Sequence, residues 1–191
     1  MIYSGRYVEI SLLTPHDAEL YFEWMKWPGF TAYKPYLRET APHLPDVMVH
    51  LSQQAKEPRV EYEVLVRRVG DHQPIGLMAL SAVDPINQKA EFSAVFSQRH
   101  SRSIWEALHF SISRSFSEFN LYKMVFHVVA DNHAVVRLLR HLGLHEEGRL
   151  QREILVDQSS RKDLLRFALF RDELDTLPAW KRLGEIVPLV Q

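Results

Sequence analysis

The 191 residues read as one mixed α/β or α+β domain, a sheet of about seven strands covered by about four helices. Three observations point there. Short β-branched and aromatic runs are bounded by turn residues. An apolar period close to the helical one runs over 104–119. Strands and helices are interleaved along the chain and not sorted into blocks, and no repeat or domain boundary interrupts them.

In order, Val8 to Leu13 is a short strand that Thr14-Pro15 breaks, and Ala18, Tyr21, Phe22 and Met25 mark one face of a helix over about 17–26. Pro28-Gly29 ends that helix. Residues 30–45 are irregular, punctuated by Pro35, Pro42 and Pro45. A second helix spans about 46–54, with Val47, Val49 and Leu51 available for burial. Tyr62 to Arg68, Ile75 to Val83 and Lys89 to Phe96 are strands separated by the turns at Gly70-Asp71 and Asp84-Pro85-Ile86-Asn87. Ile104, Leu108, Ile112, Phe116 and Phe119 then define the long helix.

The next strand is Tyr122 to Val129, with Met124, Phe126 and Val128 on one face. Asp131-Asn132 caps a short helix that carries Arg140 and His141 in its last turn and stops at Gly143. Leu150 to Val156 and Leu164 to Phe170 form two strands around the turn at 157–160. Leu174, Leu177, Trp180 and Leu183 supply an apolar face that docks a last helix on the body or on a second copy, which leaves a homodimer open.

Composition excludes several classes. A net charge of −1 without a long basic run lacks the footprint of a nucleic-acid binder. With no cysteine there is no disulfide, thiolate metal site or cysteine nucleophile, which fits a cytoplasmic location. No apolar run approaches the ~20 residues of a membrane span, and the first residues lack the apolar stretch of a signal peptide. The ten histidines include no His-Glu-x-x-His arrangement, so no metal is expected.

Against this frame Ala90-Glu91-Phe92-Ser93-Ala94-Val95-Phe96, then Asp131-Asn132-His133-Ala134, Leu142-Gly143-Leu144, Glu147-Gly148-Arg149-Leu150, Ile154-Leu155-Val156-Asp157 and Arg171-Asp172-Glu173 stand in a telling order. In that order they resemble the GNAT acyltransferase superfamily, in its RimJ/RimL-like branch of ribosomal-protein N-terminal acetyltransferases. The resemblance covers about 6–174, with 175–191 as an extension. It implies a mostly antiparallel sheet whose central strands splay, acetyl-CoA as the cofactor, and transfer of acetyl to a primary amine on a protein N-terminus or an amino sugar. A GNAT-fold binding or assembly module without catalysis is the alternative.

The same resemblance implies site residues. Ala94, Val95 and Phe96 would bind the pantetheine arm as an added strand, with the N–H near Val95 facing the developing oxyanion. Glu91 matches the family's catalytic glutamate, and a plain strand-end carboxylate describes it about as well. Arg99, His100, Ser101, Arg102 and Ser103 stand at the family's phosphate loop, where both glycine positions are serine and the cations offset the loss. Ser103-Ile104-Trp105-Glu106 also reads as a capping box that starts the long helix by itself. Asn132 contacts the cofactor or caps its helix. Val135 and Leu139 occupy the positions of the family's thiolate-protonating residue and cannot donate. His127, in mid-strand, reads as a satisfied core histidine in preference to a second base. The acceptor would meet Trp27, Phe30, Tyr33 and Tyr36 in the loop between the first two helices.

Overall fold

The computed structural model describes residues 1–26, 43–54, 62–97, 101–155 and 160–188. Its strands are β1 (Tyr3–Ser4), β2 (Val8–Leu12), β3 (Tyr62–Arg68), β4 (Pro74–Asp84), β5 (Lys89–Phe96), β6 (Lys123–Val129), β7 (His145–Leu155) and β8 (Arg161–Phe170). The helices are α1 (Ala18–Lys26), α2 (Leu44–Gln54), α3 (Ser101–Glu118), α4 (His133–His141), α5 (Arg171–Leu174) and α6 (Pro178–Ile186). Among the described residues there are thus eight strands and six α-helices, where composition and pattern suggested about seven and four. The additions to that count are β1, whose two residues are too few to show a period, and α5, beside the docking helix α6 that Trp180 and Leu183 suggested.

One sheet holds every strand, in the order β1-β2-β3-β4-β5-β6-β8-β7. Neighbours are antiparallel except β5 and β6, which run parallel with α3 as their crossover. Strand alternation sends side chains to two faces. On one face, Ala90, Phe92, Met124 and Phe126 pack with Ala107, Ile112 and Phe116 of α3, Val136 and Leu139 of α4, and Trp180 and Leu183 of α6. The C-terminal helix therefore docks on the body. On the other face Leu65 and Leu77 pack with Tyr21 and Met25 of α1 and Val47 and Leu51 of α2. Fully buried chains such as Leu65 and Phe167 each contribute on the order of 1.5–3 kcal/mol.

The start of α3 departs from the capping-box expectation. The helix opens at Ser101, so Ser103 already lies inside its first turn and is buried. Glu106 does not reach back to it. Its fully buried carboxylate instead accepts the backbone N–H groups of Arg6 at 2.9 Å, Tyr7 at 2.7 Å and Val8 at 2.9 Å. The side chain thus satisfies the donors of the β1–β2 turn and ties the first strands to the long helix. Of the described helices, none is long and apolar enough to cross a membrane.

Candidate functional site

The parallel pair β5–β6 is short. Its rungs are Lys89 with Lys123, Ala90 with Met124 and Glu91 with Val125, and there the ladder stops. Both strands continue, β5 to Phe96 and β6 to Val129, each held on its outer side by β4 or β8. The sheet therefore forks just past Glu91. A bulge in β4 between Ser81 and Asp84, with Ala82 at φ +49°, adds local twist opposite the base of the fork. Phe92 and Phe126 meet at the vertex with ring centroids 5.8 Å apart.

Register decides which backbone groups face the fork. Ser97 N–H donates to the Ile75 carbonyl at 2.9 Å, and Val95, two residues back, pairs with Leu77. At the other end of the strand, Lys123 N–H donates to the Gln88 carbonyl at 3.0 Å. Polar groups of successive strand residues point to opposite sides. The N–H of Val95 therefore points toward β4, and those of Ala94 and Phe96 point into the fork. This corrects by one residue the expectation that Val95 supplies the oxyanion donor. The Val95 side chain packs instead toward the face of α1 and α2.

Glu91 shares that face by its odd register, as does His127, two residues beyond the last rung on β6. His127 Nδ1 lies 3.0 Å from Glu91 Oε2. His127 Nε2 is buried and has no hydrogen-bond partner among the described residues. The histidine is therefore satisfied at one nitrogen only, which overturns its reading as a satisfied core residue. Sequence reasoning missed the pair. The available signal was the odd spacing that puts both residues on one face once β5 and β6 are aligned in parallel.

Beside them, Glu147 of β7 accepts from Lys123 at 2.5 Å and from Arg166 at 3.0 Å, and Arg166 is the register partner of His127. Desolvation pushes the Glu147 carboxyl up, but the two cations overcome it and hold its pKa below the ordinary value. Farther along the same face, Glu63 Oε1 lies 3.5 Å from the Tyr21 hydroxyl, which donates to it. Its buried Oε2 sits 3.8 Å from His50 Nε2.

At the junction of β5 and α3, Ser101 opens the helix and Arg102 is exposed, its guanidinium 5.9 Å from the Tyr7 ring centroid. Arg99 and His100 fall outside the described residues, as do the acceptor candidates Trp27, Phe30, Tyr33 and Tyr36. Asn132 is the N-cap of α4, its side chain accepting from Val135 N–H at 3.4 Å. Val135 is partly buried and Leu139 buried in the core. A cleft of about 390 Å³ between α4 and β7 is lined by Asp131, His133, Arg140 and Arg149 among others. Its cations are already committed, Arg140 to Glu146 at 2.6 Å and Arg149 to Asp163 at 2.7 Å. Among the described residues no group of three or more His, Cys, Asp or Glu is placed to hold a metal ion.

Residues 8–145 match the family described as acetyltransferase (GNAT) domain. A curated relative, the spermidine N(1)-acetyltransferase of Vibrio cholerae serotype O1, is 29% identical over 85 residues, which cover 44% of this chain. That match spans about half (49%) of the relative's length. A crystal structure of spermidine N-acetyltransferase from Vibrio cholerae in complex with CoA and spermine superposes with a TM-score of 0.75 at 20% identity, covering 86% of this chain and 96% of that one. The spermidine/spermine N-acetyltransferase from the same organism with manganese ions gives 0.73 at 18% identity, covering 89% and 96%. At these identities the superpositions establish the fold.

Proposed function

The chain belongs to the GNAT acetyltransferase family, and from that premise we propose that it transfers acetyl from acetyl-CoA to a primary aliphatic amine. The observation that carries this reading is the fork beyond Glu91 and Val125. Backbone groups of Ala94 and Phe96 there fit the amides of an extended pantetheine arm, which adds to β5 as a further strand would. Bound acetyl-CoA supplies a thioester whose carbon accepts the amine. The N–H of Ala94 or Phe96 is placed to stabilise charge that develops on the thioester oxygen. The N-terminus of α3, with Arg102, offers N–H groups and a cation to the phosphates, and Arg99 and His100 add to them on the family's pattern. In the balanced reaction the amine nitrogen bonds the acetyl carbon, the C–S bond breaks with its electron pair on sulfur, and one N–H proton goes to that sulfur. An acceptor that arrives as an ammonium gives its other proton to the protein and then to water.

For the acceptor, a linear polyamine is favoured over a protein N-terminus of the RimJ/RimL kind or an amino sugar. Two things support it: the alignment with a spermidine acetyltransferase, and the acidic groups on the α1/α2 face. Glu63 presents a buried carboxylate oxygen on that face, 3.8 Å from His50 Nε2, whose contact a second ammonium can take over. The test is release of free CoA thiol by the full-length protein with acetyl-CoA and, separately, spermidine, glucosamine and an N-terminal peptide. Spermidine is expected to be acetylated fastest. Failure with every amine, together with no CoA binding by calorimetry, would leave the non-catalytic module as the better reading.

A further inference from the structure

We infer that His127, and not Glu91, takes the proton from the incoming ammonium, while Glu91 is the positioning residue that fixes the imidazole. This rests on the acetyl-transfer reading above and deepens it. Nδ1 of His127 lies 3.0 Å from Glu91 Oε2. An ionised carboxylate only accepts, so the hydrogen resides on Nδ1 and Nε2 keeps its lone pair. That nitrogen is buried and has no hydrogen-bond partner among the described residues. An unused lone pair away from water is destabilising, and a donor that arrives with the substrate relieves it.

Position supports the assignment. Glu91 stands on the last β5–β6 rung, and His127 stands two residues past it where the strands have parted. Both lie on the α1/α2 side, the face on which the acceptor loop is expected. The charged groups around the ring come from every neighbouring strand. Glu91 on β5 meets Nδ1, and Arg166 on β8 is the register partner of His127. Glu147 on β7 binds both Arg166 and Lys123. Across the same face stand Glu63 and His50.

In the step itself, one ammonium N–H bond breaks, the proton forms a bond to Nε2, and the electron pair stays on the amine nitrogen as its nucleophile. The positive charge passes to the imidazolium, which Glu91 stabilises as long as it is ionised. After transfer the ring returns its proton to water, so each turnover with an ammonium acceptor releases one proton.

The test uses the full-length protein with acetyl-CoA and two acceptors of similar shape, ethylamine and 2,2,2-trifluoroethylamine. The first is an ammonium near neutral pH and the second largely a free amine, which needs no base before attack. His127→Gln is expected to lower kcat with ethylamine by about 100-fold or more, but to lower it far less with trifluoroethylamine. The KM for acetyl-CoA should stay within about twofold, since this side chain is not placed on the cofactor. Glu91→Gln should lower kcat with ethylamine more than with trifluoroethylamine, and by less than His127→Gln does, as a positioning residue would. The ring nitrogens of His127 followed by NMR should show the Nδ1–H tautomer in the wild type. This reading needs no turnover and stands in if His127→Gln fails to fold. Equal losses with both amines, an unchanged kcat, or an Nε2–H tautomer would each overturn the proposal alone. A wild type inactive with every amine would instead overturn the acetyl-transfer reading, and this one with it.

Discussion

The ring of Phe96 stands over Gly76, its cross-strand partner, in the space where a side chain on residue 76 would begin. A methyl group there would collide with the ring and come within 3.0 Å of the Val95 carbonyl. Glycine at 76 is thus the condition for Phe96 to close the end of β5 beside the fork.

Gly76→Ala should therefore displace Phe96 and bend the last two residues of β5. Crowding of this kind costs about 1–3 kcal/mol. CoA affinity should fall with it, because the Phe96 N–H faces the fork. Calorimetry against CoA, with a thermal melt of the same variant, checks both effects.

Arg99 and Arg102 changed together to Ala should weaken CoA binding at least tenfold, which takes only about 1.4 kcal/mol. Dephospho-CoA and pantetheine should show progressively less of the difference, since they carry fewer of the phosphates. If affinity for CoA is untouched, the phosphates do not sit at the N-terminus of α3.

Glu106→Gln should destabilise the fold while sparing the proton-transfer step, because the Glu91–His127 pair is on the other face of the sheet. A glutamine amide has one accepting oxygen and turns its NH2 toward N–H donors that the carboxylate oxygens now serve. Leaving one or two of those donors unpaired costs on the order of 2–4 kcal/mol. For a chain of this length that lowers Tm by roughly 5–15 °C. Gly5→Ala attacks the same joint, since its methyl would lie 2.7 Å from the Glu106 carboxyl.

Two histidines give opposite pH responses. Burial pulls the His109 pKa below its ordinary value, partly offset by the bond to the Val187 carbonyl at 3.1 Å, and the ring packs edge-on against Trp180. A base with a depressed folded pKa supports the structure above 6.5, and that support is lost as pH falls through the folded value. Acidification should thus loosen α6. His50 is raised, first by its hydrogen bond with Glu63, then opposed by desolvation and aided by the charge of Glu63. Its contribution is full below 6.5 and lost as pH rises through the folded value. Hydrogen exchange of the two helices, corrected for intrinsic rates, should show protection of α6 falling and that of α2 rising toward pH 5.5.

Elements that bury one face and end at strong turn residues were legible. Tyr62–Arg68 and Lys89–Phe96 match the expected bounds, and the Asn132 cap is where Asp131-Asn132 suggested. Local pattern fails where the partner is remote. The serine and glutamate at 103 and 106 have capping-box spacing, yet Glu106 serves donors about a hundred residues away. Strand β7 begins at His145, five residues before the expected Leu150, because it is exposed along nearly its whole length and so carries no burial alternation. The pair of Glu91 and His127 was hidden for another reason. Each sits on its own strand without a motif, and only the parallel register of β5 and β6 makes them neighbours.

The joint at Glu106 also has a meaning for a chain that emerges from the ribosome one residue at a time. Tyr7 and the carboxylate that holds it are 99 residues apart. At the usual pace of translation that is a delay of roughly 5–20 s. Throughout that interval the β1–β2 turn has been made but its three donors have no carboxylate to meet. The first strands therefore cannot lock when they appear, and they should stay open to a protease until α3 has emerged. Arrested chains that end before and after α3 clears the tunnel should show that protection arriving in one step.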